Sequence, residues 1–383
     1  MQFKSFSYQF WIIVLTLSLN LGALAQAGNL GEFSFVNQCN SELKKGNKQK
    51  NNTVVTFERL RKVLPATVWP KIGKDQTSFL QLNLKNLISR ELALKMKDGK
   101  KIADSGYSEY AKPLEQLQGI AQLIKKNKPM IILGIEIENM KILADFDRQF
   151  IEDQYEEFLI DGNDERGIDV GLLVRKDLPL EIDVESHKNL VVTATGELVF
   201  SRDLPSYTIR EKGFSKPLLT IYGTHFKSQR NSNGDPRSVK KRTQQAKAAS
   251  LIILDYQRQF PEDRIMISGD FNNDLRFAED FSDLKKLGLK DAFDISTGET
   301  VPFKERGTQF FFNGRGEATI SQLDATLFND VAVKQKIVKS ARILNFLDKD
   351  GNEYPIPRTY NEREEMPSDH RPTLIIMDLS GES

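Results

Sequence analysis

The apolar positions of this chain fall into two rhythms. Leu114, Leu117, Ile120, Ala121 and Ile124 recur at the spacing of one helical face, and Pro113 suits the first turn of that helix. Ala246, Ala249, Ile253, Tyr256 and Phe260 repeat the rhythm and predict a second helix. The other rhythm is a set of short, mostly apolar runs: Met130-Ile131-Ile132-Leu133, Leu218-Leu219-Thr220-Ile221-Tyr222, Ile265-Met266-Ile267 and Thr373-Leu374-Ile375-Ile376-Met377. Runs of that length read as strands buried on both faces. Helices alternating with such strands predict α/β architecture. With no internal repeat and no evident linker, residues 28–383 read as one domain.

The N-terminus departs from both rhythms. Lys4 supplies a positive start, Phe10 to Leu17 form an apolar run, and Ala23-Leu24-Ala25 place small residues where a signal peptidase cuts. Ser18 and Asn20 interrupt the run before it reaches the ~20 apolar residues of a membrane span. Residues 1–25 therefore read as a signal peptide, and the mature chain is expected to be secreted or periplasmic, without a transmembrane segment, and monomeric. The single cysteine, Cys39, cannot form an internal disulfide, so core packing must carry stability. Residues 44–53 are polar and basic with no periodicity and read as a solvated loop. The net charge of +1 provides no global field for a polyanion, so affinity for phosphate has to come from a local patch.

Polar clusters punctuate the apolar runs. Only three histidines occur, His187, His225 and His370. His225 closes one run in Thr224-His225-Phe226-Lys227-Ser228, and His370 precedes the final run in Ser368-Asp369-His370. Gly269-Asp270-Phe271-Asn272 follows Ile265-Met266-Ile267, which sets a carboxylate and an amide at a strand's carboxyl end, where α/β sheets bind ligands. Gly134-Ile135-Glu136-Ile137-Glu138-Asn139 follows another strand, and a carboxylate there is costly unless a cation or water meets it. Asp324 lies in an apolar context in Gln322-Leu323-Asp324. His187 belongs to no cluster and reads as a surface or structural residue.

Taken in order, these clusters resemble the endonuclease/exonuclease/phosphatase superfamily over nearly the whole mature chain. Phe35-Val36-Asn37-Gln38-Cys39-Asn40 is similar to its first-strand Asn motif, Glu136-Ile137-Glu138-Asn139 to its metal-binding Glu motif, and Arg166-Gly167-Ile168-Asp169-Val170 to the strand that follows. The clusters at His225, Asp270, Asp324 and His370 complete the series. The resemblance implies a four-layer α/β sandwich, two mixed β-sheets packed face to face and flanked by helices. It implies Glu136 as the main ligand of Mg²⁺, with Mn²⁺ or Ca²⁺ as substitutes, and Asn37 and Asp369 close to the metal. It further implies His370 as base oriented by Asp324, His225 as acid or phosphate ligand, and Asp270 and Asn272 positioning water and phosphate. Asp169 is placed where it could orient His225. A histidine at position 225, where the repair-endonuclease branch usually has a tyrosine-type motif, is shared by the deoxyribonuclease I-like, sphingomyelinase-like and phosphoinositide-phosphatase-like branches. The first is the expected one, with a sphingomyelinase-like or inositol-phosphate phosphoesterase as the alternative. Ala325, Gln38 and Cys39 depart from the pattern, and residues 41–112 form a connection longer than the family's, readable as an insertion or cap.

The substrate is less marked. Lys227, Arg230, Arg237, Lys240, Lys241 and Arg242 follow His225 against the lone Asp235, a cluster suited to repeated phosphates or to a plain solvated face. Lys227, Arg202 and Arg242, with Asn272, are the expected substrate contacts, and nucleic acid is the expected substrate. Gln309-Phe310-Phe311-Phe312-Asn313-Gly314 keeps a phospholipid substrate in view, as a hairpin whose Asn-Gly turn presents three aromatics, or else as a core strand. A catalytically inactive binding module has no need for all these groups at once.

Overall fold

The computed structural model describes residues 32–35, 76–87, 112–232, 234–298, 305–313 and 315–380. The expected signal peptide, Asn37 and Cys39 lie outside the described residues. Among the described residues, three longer helices are present: α1 (Leu114–Asn127), α2 (Met140–Phe150) and α3 (Val239–Gln259). The early strands are β1 (Phe33–Phe35), β2 (Thr77–Asn83), β3 (Ile131–Ile137), β4 (Tyr155–Leu159) and β5 (Asp169–Arg175). Next come β6 (Leu180–Glu185), β7 (Leu190–Val192), β8 (Ser206–Glu211), β9 (Pro217–His225) and β10 (Ile265–Asp270). The last are β11 (Lys290–Asp291), β12 (Gln309–Phe312), β13 (Ala318–Ser321), β14 (Asp324–Phe328), β15 (Val338–Ile343) and β16 (Thr373–Met377).

Two mixed six-stranded sheets result. The first runs β11-β14-β10-β9-β8-β6 and the second β15-β16-β2-β3-β5-β4. Ile131, Leu133, Val170, Leu172, Ile209, Ile221, Met266 and Ile375 meet in one buried layer between them. Because alternate residues of a strand face opposite sides, Leu80, Leu82 and Ile132 turn outward onto Leu117 and Ile120 of α1 and Leu143 and Phe146 of α2. Tyr222, Ile265 and Ile267 turn the other way onto Ala246, Ala249 and Ile253 of α3. Helix, sheet, sheet, helix is the layer order, as the sequence implied. Each full burial of such a side chain stabilises by roughly 1.5–3 kcal/mol. Phe260 falls just beyond α3 and is exposed, so the second helical rhythm ends one residue early.

Two expectations are corrected here. The connection 41–112 is not wholly an addition, because Thr77–Asn83 lies in the middle of the second sheet, antiparallel to β16 and parallel to β3. The Phe-rich segment is a hairpin, but its turn is not a two-residue Asn-Gly turn, since five residues separate β12 from β13. Phe310 and Phe312 are buried, and Phe311 alone is exposed. Among the described residues, no helix is long and apolar enough to cross a membrane.

Candidate active site

The strand order explains why distant polar clusters meet. β9 and β10 run parallel and end together with His225 opposite Asp270, while antiparallel β14 begins at the same level with Asp324 opposite Asp270. Residues paired across a ladder point to the same face, so the three side chains stand in a row. His370 joins them from the segment before β16, bridged by its backbone to Gln309 of β12. Gly269 makes the row feasible. Its φ is +142°, and a Cβ there would lie 1.9 Å from the Thr224 carbonyl oxygen, so only glycine lets β10 approach β9 so closely.

Asp324 is held from three directions. Its Oδ2 lies 2.7 Å from His370 Nδ1, and its Oδ1 accepts from Gln81 Nε2 at 3.0 Å. The Thr308 hydroxyl oxygen accepts from the backbone N–H groups of Leu323 and Asp324 at 3.1 and 3.0 Å. Burial opposes a charge on His370, but the carboxylates of Asp324 and Asp270 outweigh it and raise its proton affinity well above that of a free imidazole. Burial raises the Asp270 carboxyl, against the pull of His370. The Asp270 carboxylate accepts from the Asn272 backbone at 2.7 Å and from Asn272 Nδ2 at 2.9 Å, and Asn272 itself adopts a left-handed φ of +55°. Burial, reinforced by the positive charge of Arg202, pushes His225 well below the ordinary imidazole value. The two histidines therefore flank Asp270 with opposite proton preferences.

On the second sheet the geometry is less regular. Ile135 pairs with Val170 and Ile137 with Asp169, so Glu136 is an extra residue, a β-bulge with φ +62°. The bulge turns its carboxylate to the site, where Oε2 accepts from Asn83 Nδ2 at 3.2 Å and Oε1 lies 3.7 Å from His225 Nε2. His225 Nε2 is also 3.7 Å from Asp270 Oδ2. Asp369, half-buried beside His370, is held below the usual carboxylate range: burial opposes this, and His370, Lys85 and Arg363 outweigh it. Glu138 is buried, and among the described residues neither of its carboxylate oxygens has a hydrogen-bond partner. Buried Lys112 stands among Glu138, Asp369 and Glu136, donates to the Lys85 carbonyl, and is brought down to about 8, first by burial.

The carboxylates of Glu136 and Asp369 are hard-oxygen donors, the type a small divalent cation takes. The Asn83 amide nitrogen donates to Glu136, while its oxygen accepts from the Lys85 N–H at 3.1 Å. Asp270, Asp324 and His370 also bring one ligand atom each within 4.8 Å of one another. Both Asp324 oxygens are already engaged by His370 and Gln81, so that trio is also a hydrogen-bonded cluster.

Of the expected site residues, Glu136, His225, Asp270, Asn272, Asp324, Asp369 and His370 converge. Arg202 is buried near them, donating to the Phe226 carbonyl at 3.3 Å and lying 3.4 Å from Asp164. Lys227 is half-buried, its ammonium destabilised by burial and by Arg202 and Arg166. Arg242 is a correction. Fully buried, it donates from Nε to Asp280 at 2.6 Å and from Nη1 to the carbonyls of Lys227 and Arg237, so it braces the loop and is not the exposed contact expected. Asp169 accepts from the Gly162 N–H at 2.9 Å, and burial raises its carboxyl to about 7. His187 is buried, its Nδ1 2.6 Å from the Leu204 carbonyl oxygen. Among the described residues, an amide beside Glu136 is supplied by Asn83; the expected Asn37 lies outside them. Gln81, Thr308, Arg166, Glu138 and Lys112 were not expected.

A family model described as "Endonuclease/Exonuclease/phosphatase family" matches residues 95–378. The chain belongs to the endonuclease/exonuclease/phosphatase family. None of the curated proteins compared matches it in sequence. Solved structures similar to it include an endonuclease/exonuclease/phosphatase from Bacteroides vulgatus, 16% identical, covering 79% of this chain and 98% of that one, TM-score 0.49. Truncated TDP2 from Caenorhabditis elegans is also 16% identical, over 79% of this chain and 97% of that one, TM-score 0.49. A mannosyl-6-phosphatase from Bacteroides thetaiotaomicron is 14% identical, over 78% and 98%, TM-score 0.49. The match begins after β2, so the family model does not reach the strand that bears Gln81 and Asn83.

Proposed function

We propose that this chain is an exported, divalent-metal-dependent phosphodiesterase that acts on nucleic acid. The observation that carries the reading is the row His225–Asp270–Asp324–His370 with the Glu136 carboxylate 3.7 Å from His225. Glu136, with Asp369, would hold Mg²⁺, which when bound draws charge from the phosphate oxygens. His370, oriented by Asp324, stands where in its neutral form it could take the proton of the attacking water. Asp270 and Asn272 orient that water, and His225 grips the phosphate.

Nucleic acid is favoured by charge. Arg202, Lys227 and Arg166 interact with one another and with the pocket, and Arg166 lies within electrostatic range of Glu136. Asp164 meets both Arg166 and Arg202, which leaves Lys227 and the partly offset positive charge of the arginines to favour a phosphate backbone. The phospholipid reading loses its main support, because only one of the three hairpin phenylalanines is exposed. Export rests on the pattern of Lys4, the apolar run and Ala23-Leu24-Ala25.

The deciding experiment incubates the purified mature chain with supercoiled plasmid, single-stranded DNA, RNA and sphingomyelin vesicles, with Mg²⁺ or with chelator. Cutting of DNA or RNA that stops on chelation is expected. Choline-phosphate release without strand cutting overturns the nuclease reading, and inertness towards all four overturns the hydrolase.

A further inference from the structure

Gln81 is an unusual residue for the middle of a sandwich. It sits on the inner face of β2, two residues from Phe79 and two from Asn83, and is 3% exposed. A buried carboxamide costs several kcal/mol unless its donors and acceptor are met, and Leu or Met would fill a similar volume without that demand. Here its nitrogen and its oxygen both find partners on the opposite sheet. Its Nε2 donates to Asp324 Oδ1 at 3.0 Å, and its Oε1 accepts from the Ser268 hydroxyl at 2.7 Å. Ser268 and Thr326 face each other in register on β10 and β14, their hydroxyl oxygens 2.7 Å apart.

We infer that Gln81 is a positioning residue for the hydrolysis, a strut from one sheet to the other that fixes the Asp324 carboxylate orienting His370. The inference rests on the hydrolytic reading of the site. A carboxylate has two oxygens and a free rotation about its last bond. With Oδ1 tied to the Gln81 amide and Oδ2 to His370, that rotation is locked and His370 Nδ1 has one fixed acceptor. The orientation of the amide is itself dictated, because Asp324 can only accept and the hydroxyl pair can donate. The same strand carries Asn83, which donates to Glu136. Two side chains about 7 Å apart on one face of β2 thus brace the histidine half and the carboxylate half of the pocket.

The decisive variant is Gln81→Glu, which keeps shape and the acceptor for Ser268 but sets an acceptor oxygen against Asp324. A role limited to filling space or tying the sheets would tolerate it better than a donor role. Rates on bis(p-nitrophenyl) phosphate with Mg²⁺ should show kcat down about 10–100-fold with KM within about twofold. The ring ¹⁵N–¹H spectrum of His370 should show its Nδ1–H signal moved from the wild-type position. In an Asp324→Asn background the same change should cost less than about twofold more, because its route is already cut. Wild-type kcat together with an unmoved His370 signal overturns the inference, as does an undiminished loss in the Asp324→Asn background. Should the glutamate variant not fold, Gln81→Met carries the same comparison without a buried charge. A wild-type chain inert towards the diester defeats the hydrolytic reading instead, and the His370 spectra then read the strut on their own.

Discussion

The layer between the two sheets has two halves of opposite character, and single strands pass from one to the other. On β10 the inward series is Met266, Ser268, Asp270, and on β9 it is Ile221, Gly223, His225. On β2 it is Phe79, Gln81, Asn83, and β14, running the other way, gives Phe328, Thr326, Asp324. Each strand changes from apolar, through a small or hydrogen-bonding residue, to a group capable of chemistry. The apolar half holds the sheets together by packing, and the polar half holds them by directed bonds. The first half tolerates a change of chemistry poorly and the second a change of geometry, so the two can be broken separately.

The largest separation should come from His370→Ala and Asp270→Ala. Each should lower kcat on bis(p-nitrophenyl) phosphate at least about a thousandfold while the thermal midpoint stays within a few degrees of wild type. Either variant retaining near-normal turnover would break the assignment of chemistry to the polar half. The converse is Leu172→Ala in the apolar half, where the side chain is fully buried. Denaturant unfolding should show a loss of about 2–5 kcal/mol, with the kcat of the folded fraction unchanged. A large fall in kcat would mean that the halves are not separable.

The smallest effect is a pH control placed outside both halves. Asp147 of α2 is fully buried and accepts from the N–H groups of Gln154 and Tyr155, and burial raises its carboxyl from 3.8 to about 7. The folded chain therefore keeps a proton that the unfolded chain gives up. Its contribution to stability is complete below the unfolded value, is lost as pH rises through about 7, and changes little beyond. Denaturation midpoints of wild type should fall across that window relative to Asp147→Asn, with turnover untouched. Parallel midpoints in the two proteins would show that the proton is not held.

The sequence made the strands and the chemical ends of the series legible, because apolar runs and isolated histidines stand out one residue at a time. The middle of each series did not show. Gln81 and Thr308 are ordinary polar residues whose importance comes from what they touch across the sandwich, Asp324 in both cases. Neither composition nor periodicity marks such partners. Asn37 is the residue the resemblance to the first-strand Asn motif implies, and Phe79-Leu80-Gln81-Leu82-Asn83 has the same form with a longer run. The burial of Arg242 was equally hidden, since a basic run gives no sign of which member turns inward to Asp280.

The bulge at Glu136 has an evolutionary corollary. Ile135 faces the inter-sheet layer and Ile137 faces the α1–α2 layer, which is the alternation of two adjacent residues in an unbroken strand. Loss of the single codon for residue 136 would close the ladder, keep both isoleucines on their present sides and remove a left-handed backbone position. The outcome would be an intact sandwich stripped of its cation-facing carboxylate, so in this lineage architecture can outlive chemistry by one short deletion.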